Sequence, residues 1–472
     1  METMARANGR GCKMLKRGRT MAAFLAGFAR VDVTPPLGIE ISGYFMDRFA
    51  AGVLDALEAS AVAVACGESR AVVIGLDNLM IDQTQMDLYR RAIAEKTGLA
   101  YEGVFICCSH THTGPLVGPD PLDARRHGEA QYGEYLGRKL CDCAALALRD
   151  LQPSKLGWAV ANAPRISFIR RFRMKDGSIR TNPGVNNPDI LAPIGDVDER
   201  VNVLRFVREA GPEIIVANFG VHPDVIGGEQ ISADYPGFFR RTLEKALDNV
   251  RCVFLNGAEG DVNHVNVFPR PGEGNGLVRD FDDVDRGYAH ARHMGMVLAG
   301  AVLQVYEKVH FTEPDCVKFA QVVMPAPSNM PTADEAAKAE EICRLHEAGR
   351  DAQLPYEGME LTTVVAEALR MQQLKDGPES FGLYLGALQM GEVALLGIPG
   401  EPFTGVGRGI KDGSAYALTL PCSLTNGAEG YYPMREAYDE GGYEARSSIF
   451  KAGIAERIID AGTKLLQELK NA

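Results

Sequence analysis

The sequence lacks the features that would put the chain in a membrane or on a nucleic acid. It contains no apolar run of about 18 residues, the length that a membrane-spanning helix requires. It also lacks an excess of positive charge, since 50 lysines and arginines stand against 62 aspartates and glutamates, for a net charge of −12. A field of that sign repels nucleic acids and anionic membranes, so we expect neither as a partner.

Cysteine is also scarce, with ten residues in a chain of 472. Cys107 and Cys108 are adjacent, and Cys141 and Cys143 are separated by one residue, so neither pair has the Cys-x-x-Cys spacing of a structural zinc ribbon. The count is too low for a disulfide scaffold. These features predict reduced cysteines in the core of a cytoplasmic protein.

The N-terminal segment allows a second interpretation of the protein's location. Residues 1–20 are basic, and an apolar stretch follows at residues 21–29, which together could serve as a signal and make the protein secreted. However, the apolar stretch continues directly into Arg30-Val31-Asp32-Val33, which alternates like a strand. We therefore favour residues 1–20 as a disordered or upstream extension and Met21 as the start of the fold.

Segments typical of strands and of helices alternate along the chain, without an internal repeat or a linker. Residues 59–65 and 71–76 are apolar and β-branched, as in buried strands, whereas residues 82–95 and 130–148 have helical spacing. The pattern predicts an α/β fold in which helices flank a mixed β-sheet core. We expect residues 21–472 to form a single domain, with the charged helical segment at about 331–376 as an insertion, a lid or a docking surface.

Polar loops that follow the predicted strands carry side chains able to bind a metal. His110 and His112 follow the apolar run at 104–106, His222 follows a second run, Glu401 begins a helix, and Tyr431 lies beyond the strand at 415–421. Ligands of open α/β sheets bind at the carboxyl ends of the strands, and imidazole and carboxylate groups are typical zinc ligands. Each element alone is also compatible with a polar loop, a hydrogen-bonded core histidine or a helix N-terminus.

Taken together, these motifs resemble those of the neutral, non-lysosomal ceramidases and their shorter bacterial relatives. The resemblance extends over most of residues 24–450, and the spacing of its tyrosines is similar in the family. The matching motifs are Gly27-Phe28-Ala29-Arg30-Val31-Asp32-Val33-Thr34-Pro35, Ser42-Gly43-Tyr44, Ser109-His110-Thr111-His112-Thr113-Gly114-Pro115, Val221-His222-Pro223, Gly260-Asp261-Val262-Asn263, Pro399-Gly400-Glu401 and Gly430-Tyr431 with Tyr443-Glu444.

The resemblance implies the fold of a ceramidase-like zinc hydrolase and a set of site residues. The implied zinc ligands are His110, His222, Glu401 and Tyr431. The implied catalytic residues are His112, Tyr443 and Arg170. His112 would act as acid and base or contact the substrate, and Tyr443 would lie over the scissile carbonyl. Arg171 is the alternative to Arg170 and is otherwise expected close to the substrate.

Other polar residues near these motifs are expected to support the site. Asp77 and Asp261, at strand ends, are candidates to orient the histidines, with helix capping or turn formation as the alternative. Asn263 and His264 stand where the family's Gly-Asp-Val-Ser-Pro-Asn segment has serine and proline, which excludes a serine nucleophile and favours a metal-activated water. We expect Asn263 to contact the substrate or to support the site from behind. We expect His264 to line the substrate pocket, with a role as another base or as a contact for an anionic substrate group as the alternative, and we expect His346 to lie on the surface.

The residues and the resemblance together predict a zinc-dependent hydrolase that cleaves the linear amide of a small N-acyl compound. The ceramidases carry an additional immunoglobulin-like module, which we do not expect here because the chain ends soon after Tyr443. The predicted substrate is therefore smaller or more soluble than a ceramide. A zinc-dependent esterase or lactonase and a non-catalytic relative that binds metal or a protein partner are the alternatives. The sequence leaves a homo-oligomer open.

Overall fold

A computed structural model describes residues 23–121, 123 and 126–472 of the chain. The predicted extension at residues 1–20 and the predicted start at Met21 lie outside the described residues. Within the described ranges, no helix combines the length and the apolar character that crossing a membrane requires.

A large mixed β-sheet forms the centre of the molecule. Two of its strand pairs are parallel, Ser69–Leu76 with Val104–Cys108 and Glu213–Phe219 with Val250–Asn256, and the other neighbours are antiparallel. In spatial order the strands are Val250–Asn256, Glu213–Phe219, Arg200–Arg208, Gln152–Asn162, Phe24–Asp32, Glu58–Cys66, Ser69–Leu76 and Val104–Cys108, and His310–Thr312 pairs with Gln152–Asn162.

A smaller mixed sheet packs against the large one. Its strands, in spatial order, are Val317–Pro327, Ser380–Met390, Val393–Gly397 and Leu418–Cys422. Alternate side chains of the large sheet separate into two cores, because successive residues of a strand point to opposite faces. In Glu58–Cys66, for example, Val62 and Val64 contact the small sheet, whereas Ala61 and Ala63 contact helices.

Helices cover the outer faces of both sheets, so the fold has the layer order helix, sheet, sheet, helix. The helices Gln83–Thr97, Ala130–Arg149, Asp234–Ala246 and Tyr288–Val305 bury their apolar side chains against the large sheet. Thr404–Gly413 and Ile454–Asn471 do the same against the small sheet. Because both of its faces are covered, Val393–Gly397 is buried along its whole length, as expected for an interior strand.

Two further helices, Ala333–Glu347 and Gly358–Leu374, form a pair that we call the helical hairpin. A capping box between Thr332 and Glu335 begins the first helix. The hairpin packs on the short helix Tyr443–Ser447, where Arg446 pairs with Glu367 at 2.6 Å. The predicted helical segment at about 331–376 is therefore present, and its role as a lid stays a prediction.

Short elements complete the described part of the chain. The remaining strands are Gly52–Val53, Phe168–Ile169, Arg171–Met174, Ile179–Thr181, Ile190–Pro193, Gln230–Ile231, Val262–Asn263, Val278–Arg279, Asp285–Arg286, Glu401–Pro402 and Tyr431–Tyr432. The remaining helical segments are Tyr101–Gly103, Tyr306–Lys308, Asp351–Gln353, Arg435–Glu440 and Tyr443–Ser447.

The structure confirms the predicted α/β class and differs from the sequence-based expectation at particular elements. The spacing of residues 283–309 predicts a helix, yet the helix begins at Tyr288 because Asp285–Arg286 pairs with Val278–Arg279. The strand Val317–Pro327 produces no continuous apolar run, because it is an edge strand whose side chains are mostly half-buried or exposed. The prediction of a single domain for residues 21–472 stays a prediction.

Candidate metal centre

The candidate site lies where loops that follow buried strands meet. His110 follows Val104–Cys108, and His222 follows Glu213–Phe219. A backbone hydrogen bond joins the two loops, in which the His112 N–H donates to the Pro223 carbonyl at 3.1 Å. Glu401 reaches the same point from the other sheet, and the parallel pairing of Glu401–Pro402 with Tyr431–Tyr432 sets Tyr431 directly beside it. The loop residues that the motifs singled out therefore converge.

Backbone constraints hold the histidine loop in its conformation. His110 has a φ of 76°, a value in the left-handed region that non-glycine residues adopt rarely and at a cost in free energy. Its N–H donates to the Asn78 carbonyl at 2.8 Å. Gly43 lies against the His112 ring, and a Cβ at this position would stand 2.9 Å from the His112 Nδ1 atom. The Ser42-Gly43-Tyr44 motif thus leaves room for His112.

Three acceptor atoms face one another at the centre of the site. The Nε2 atoms of His110 and His222 are 3.0 Å apart, and the Glu401 Oε2 atom is 3.3 Å from each of them. The Nδ1 atoms of the two histidines lie 3.1 Å from the Leu79 carbonyl and 3.0 Å from the Glu259 carbonyl. A carbonyl oxygen only accepts, so each Nδ1 donates, which leaves the Nε2 atom of each ring as the one that can bind a cation beside the Glu401 carboxylate.

All three of these side chains are about 1% exposed, so water does not screen the repulsion between their lone pairs. Burial lowers the pKa of His222 to about 4, and the nearby Arg170 adds to that shift, so this imidazole is neutral at pH 7. Two imidazoles and a carboxylate that converge in this way are a donor set for a divalent cation such as Zn²⁺. The residues present therefore fit a metal ion.

His112 lies beside this centre. Its ring is 5.0 Å from that of His110 and 5.6 Å from that of His222, between centroids. Its Nδ1 atom is 3.6 Å from Asp224, and neither of its ring nitrogens has a hydrogen-bond partner in the described structure. Burial lowers its pKa well below the usual value, although Asp224 opposes that shift. Its position suits either a proton carrier or a further metal ligand.

Tyr431, Tyr443 and Arg170 form the wall next to Glu401. The Tyr431 and Tyr443 rings meet edge to face with centroids 5.6 Å apart, and the Arg170 guanidinium lies 5.4 Å from the Tyr431 centroid. Burial raises the pKa of Tyr431 well above its usual value, and Glu401 adds to that effect while Arg170 opposes it. Arg170 is held by an ion pair to the fully buried Glu444 at 2.7 Å.

The two candidate arginines differ in what they contact. Arg170 lines the cavity that adjoins the histidines, and it also donates to the Gly260 carbonyl at 2.7 Å. Arg171 is turned toward the Glu440 carboxylate at 3.2 Å and the Gly441 carbonyl at 2.9 Å, and it does not line that cavity. The geometry therefore favours Arg170 as the residue that reaches a substrate.

The structure corrects the expected roles of Asp77 and Asp261. Asp77 accepts from Arg240 at 2.9 Å and from the Glu58 N–H at 2.9 Å, so it joins the large sheet to a helix. Asp261 accepts from the N–H and the hydroxyl of Thr404 at 2.7 and 3.0 Å, which caps the helix Thr404–Gly413. Both carboxylates accept hydrogen bonds from other nearby donors. Backbone carbonyls, rather than these carboxylates, accept from the Nδ1 atoms of the histidines and orient their rings.

Asn263 lies behind the cavity wall, one of its two expected positions, whereas His264 lies outside the pocket in which it was expected. Asn263 donates to Asn182, which does line the cavity, at 2.7 Å, and it therefore supports the wall without forming it. His264 donates to the Asp285 carbonyl at 2.7 Å and lines a different cavity. His346, expected on the surface, is half-buried in the cavity wall, where it contacts Asp351 at 3.0 Å.

Sequence reasoning did not single out Glu259, although it lies in the polar loop after Val250–Asn256. One of its carboxylate oxygens lies within 4.8 Å of a ligand atom of both His110 and Glu401, and its side chain is fully buried. Burial raises its pKa well above the usual value, and the neighbouring Glu401 adds to the effect. In the sequence, the only indication of its role is its position in the loop that follows a buried strand.

A cavity of about 150 Å³ opens beside the histidines. One wall contains His112, His222 and Tyr431 of the metal centre. The other walls contain apolar residues of the segment 44–46 and of the helical hairpin. The charged groups in these walls have partners: Asp224 pairs with Arg286 at 2.6 Å, and Asp351 pairs with His346. The cavity therefore offers apolar surface next to a polar centre, which is the usual arrangement of a small-molecule site.

Comparisons with known proteins agree with the motifs. No protein-family model matches the chain. Among curated proteins, neutral ceramidase 2 of Arabidopsis thaliana is 25% identical over 283 residues, which are 57% of this chain and 35% of the relative. The chain thus matches about a third of that relative's length.

Two solved structures share the fold. Neutral ceramidase from Pseudomonas aeruginosa superposes with a TM-score of 0.70 and 17% identity, covering 95% of this chain and 75% of the other. A structure described as ceramidase complexed with C2 gives a TM-score of 0.70 and 18% identity, covering 95% and 76%. At this level of identity the likeness establishes the fold. The chain is similar to the neutral ceramidases and shares their mixed α/β fold.

Proposed function

We propose that the protein is a zinc-dependent hydrolase that cleaves the amide bond of a small N-acyl compound. The observation that carries the proposal is the convergence of His110, His222 and Glu401 on one point. Three buried acceptors within 3.3 Å of one another repel unless a cation lies between them. Tyr431, beside Glu401 in the strand pairing, would complete the ligand set as it is implied by the ceramidase motifs.

A zinc ion in such a site polarises a carbonyl oxygen and lowers the pKa of a bound water toward about 7. The residues around it would stabilise the developing negative charge and transfer the proton. Arg170 and Tyr443 line the cavity, so their guanidinium and phenol would donate to the oxygen on which negative charge develops. His112 is neutral and has free ring nitrogens, so it would accept a proton and deliver it to the leaving amine. Asp224 would orient its ring.

The cavity supports a substrate more compact than a ceramide. Pockets for drug-sized ligands measure roughly 300–1,000 Å³, whereas this cavity measures about 150 Å³. Met359, Leu361 and Val365 of the helical hairpin close one side of it. Since the walls present apolar side chains and internally paired charges, they would accept a short, uncharged acyl group.

Metal analysis tests the first part of the proposal. Purified protein should contain about one zinc ion per chain, and both His110→Ala and Glu401→Ala should lose it because each removes a converging ligand. His293→Ala, which removes an exposed histidine outside the centre, is the matched control and should retain the metal. Full zinc occupancy in both ligand variants would refute the proposed centre.

A substrate panel tests the second part. We expect kcat/KM to be highest for N-acyl compounds with short acyl chains and to fall as the chain lengthens beyond the cavity. Matched esters and lactones belong in the same panel, because the same water would attack them. Higher kcat/KM for esters than for amides would favour an esterase or lactonase, and a preference for long-chain ceramides would contradict the size argument.

A further inference from the structure

Glu259 is the one buried carboxylate of the centre to which the proposed function assigns no task. It is fully buried, and neither of its oxygens forms a hydrogen bond of standard geometry with the described residues, although the Ser423 hydroxyl is near enough to oppose the rise of its pKa. Its backbone carbonyl already holds the Nδ1 atom of His222 at 3.0 Å, so the loop that carries it belongs to the centre. The side chain projects toward His110 and Glu401, with one oxygen within 4.8 Å of a ligand atom of each.

None of the described cations forms an ion pair with this carboxylate. Arg170, whose charge acts on Glu259, is engaged by the Glu444 carboxylate at 2.7 Å and by the Gly260 carbonyl at 2.7 Å. A buried carboxylate without a paired charge is costly, and in proteins such groups are paired or bind metals. Two ligands of one tetrahedral zinc ion, each about 2.1 Å from it, are about 3.4 Å apart. One Glu259 oxygen lies within 4.8 Å of the ligand atoms of His110 and Glu401, so a small movement of the side chain would bring it to that distance.

We propose that Glu259 is a further ligand of the metal ion, so that the centre of this chain holds its ion with two carboxylates, Glu259 and Glu401, in addition to the two histidines and Tyr431. This inference rests on the proposed function, because it requires that the ion bind. Neither the motifs nor the comparisons point to this residue. A second carboxylate adds negative charge and oxygen donors, which strengthens the binding of hard divalent ions such as Mn²⁺ in particular.

The experiment measures metal affinity in the intact chain, by competition with a chromophoric chelator, for Zn²⁺ and for Mn²⁺. Glu259→Gln keeps the size of the side chain and removes its charge, and we expect the Kd for Zn²⁺ to rise at least about tenfold, with a larger rise for Mn²⁺. Glu213→Gln is the matched control, since Glu213 is a half-buried glutamate at the start of the strand that precedes His222. A change in Kd of less than about threefold in Glu259→Gln would overturn the inference.

The outcomes separate the inference from the proposed function. If wild-type protein binds no metal, the proposed function fails; if wild type and Glu259→Gln bind equally well, only the role of Glu259 fails. Should the variant not fold, a crystal structure of the metal-loaded wild type decides the matter. We expect a Glu259 oxygen at about 2.0–2.2 Å from the ion. An oxygen more than about 3.5 Å away, beyond the 2.0–2.2 Å of a ligand bond, would refute the assignment.

Discussion

Glu444 is the residue whose loss should damage the site and the fold together. Its carboxylate is fully buried, and it lies 2.7 Å from the Arg170 Nε atom and 3.8 Å from the Arg171 Nε atom. The Thr181 hydroxyl donates to it at 3.0 Å. Glu444→Gln keeps the shape of the side chain and removes the charge. Arg171 keeps the Glu440 carboxylate, whereas Arg170 loses its ion-pair partner and keeps the Gly260 carbonyl, with the charge of Glu401 also acting on it.

Removing one partner of a buried ion pair costs about 3–5 kcal/mol, because the remaining charge stays out of water. We expect Glu444→Gln to lower the free energy of unfolding by about that amount, as measured by urea unfolding followed by both fluorescence and circular dichroism. Coincident transitions of the two probes are the control for a two-state interpretation. Activity should fall as well, because Arg170 and the neighbouring Tyr443 lose their support.

A double-mutant cycle completes this test. Arg170→Met removes the charge that Glu444 balances, so the double variant should be less destabilised than the sum of the two single variants. A loss of less than about 1 kcal/mol in Glu444→Gln, the size typical of an exposed pair, would refute the reasoning. It would mean that water, rather than Glu444, compensates Arg170.

Three further predictions concern neighbouring parts of the structure. Asp77→Asn should destabilise the protein by up to about 3 kcal/mol, since it removes the closest charge partner of the buried Arg240 and leaves Glu58, at 3.3 Å, as its ion-pair partner. Metal content per folded chain should stay unchanged, and loss of zinc would restore the role in the metal centre. Gly260→Ala should weaken metal binding in chelator competition, because its Cβ would stand 2.5 Å from the Glu401 carbonyl; an unchanged Kd would show that the segment adjusts freely. Asp198 is partly buried, which raises its pKa, yet Arg200 and Lys411 outweigh burial and hold the pKa at about 2, below the unfolded value. The stabilisation that Asp198 provides is therefore present above about pH 4 and lost as the pH falls toward 2. Asp198→Asn should lower the free energy of unfolding in urea by about 1–2 kcal/mol at pH 7 and by clearly less at pH 3. An equal loss at both pH values would contradict this reasoning.

Much of the candidate site could be predicted because its residues stand in short motifs at strand ends. His110, His222 and Glu401 each follow an apolar run or a turn that is readable in the sequence, and the structure brings the three together. Asp77 shows the limit of that reasoning. It too stands at a strand end, but its partner Arg240 is 163 residues away, and nothing local indicates that this pairing excludes contact with a histidine.

The burial of Glu259 and the half-buried position of His346 are the features that are hardest to predict from the sequence. Glu259 lies in a glycine-rich polar segment whose composition is typical of any exposed turn, and only the packing of the two sheets reveals that its carboxylate is buried. His346 was expected on the surface because it lies in a charged helix. The hairpin folds over the cavity and turns the histidine inward, where its Nε2 donates to the Phe45 carbonyl at 2.8 Å.

The sequence by itself determined the α/β class, the positions of most strands and helices, and the resemblance to the neutral ceramidases, because these depend on local periodicity and on short motifs. Only the tertiary structure decided which polar groups meet. The order of strands and the stacking of two sheets bring Glu401 to within 3.3 Å of His110 and His222, and they send Asp77 and Asp261 to other partners. Contacts between residues so distant in the chain depend on the packing of whole layers, which local sequence patterns do not specify.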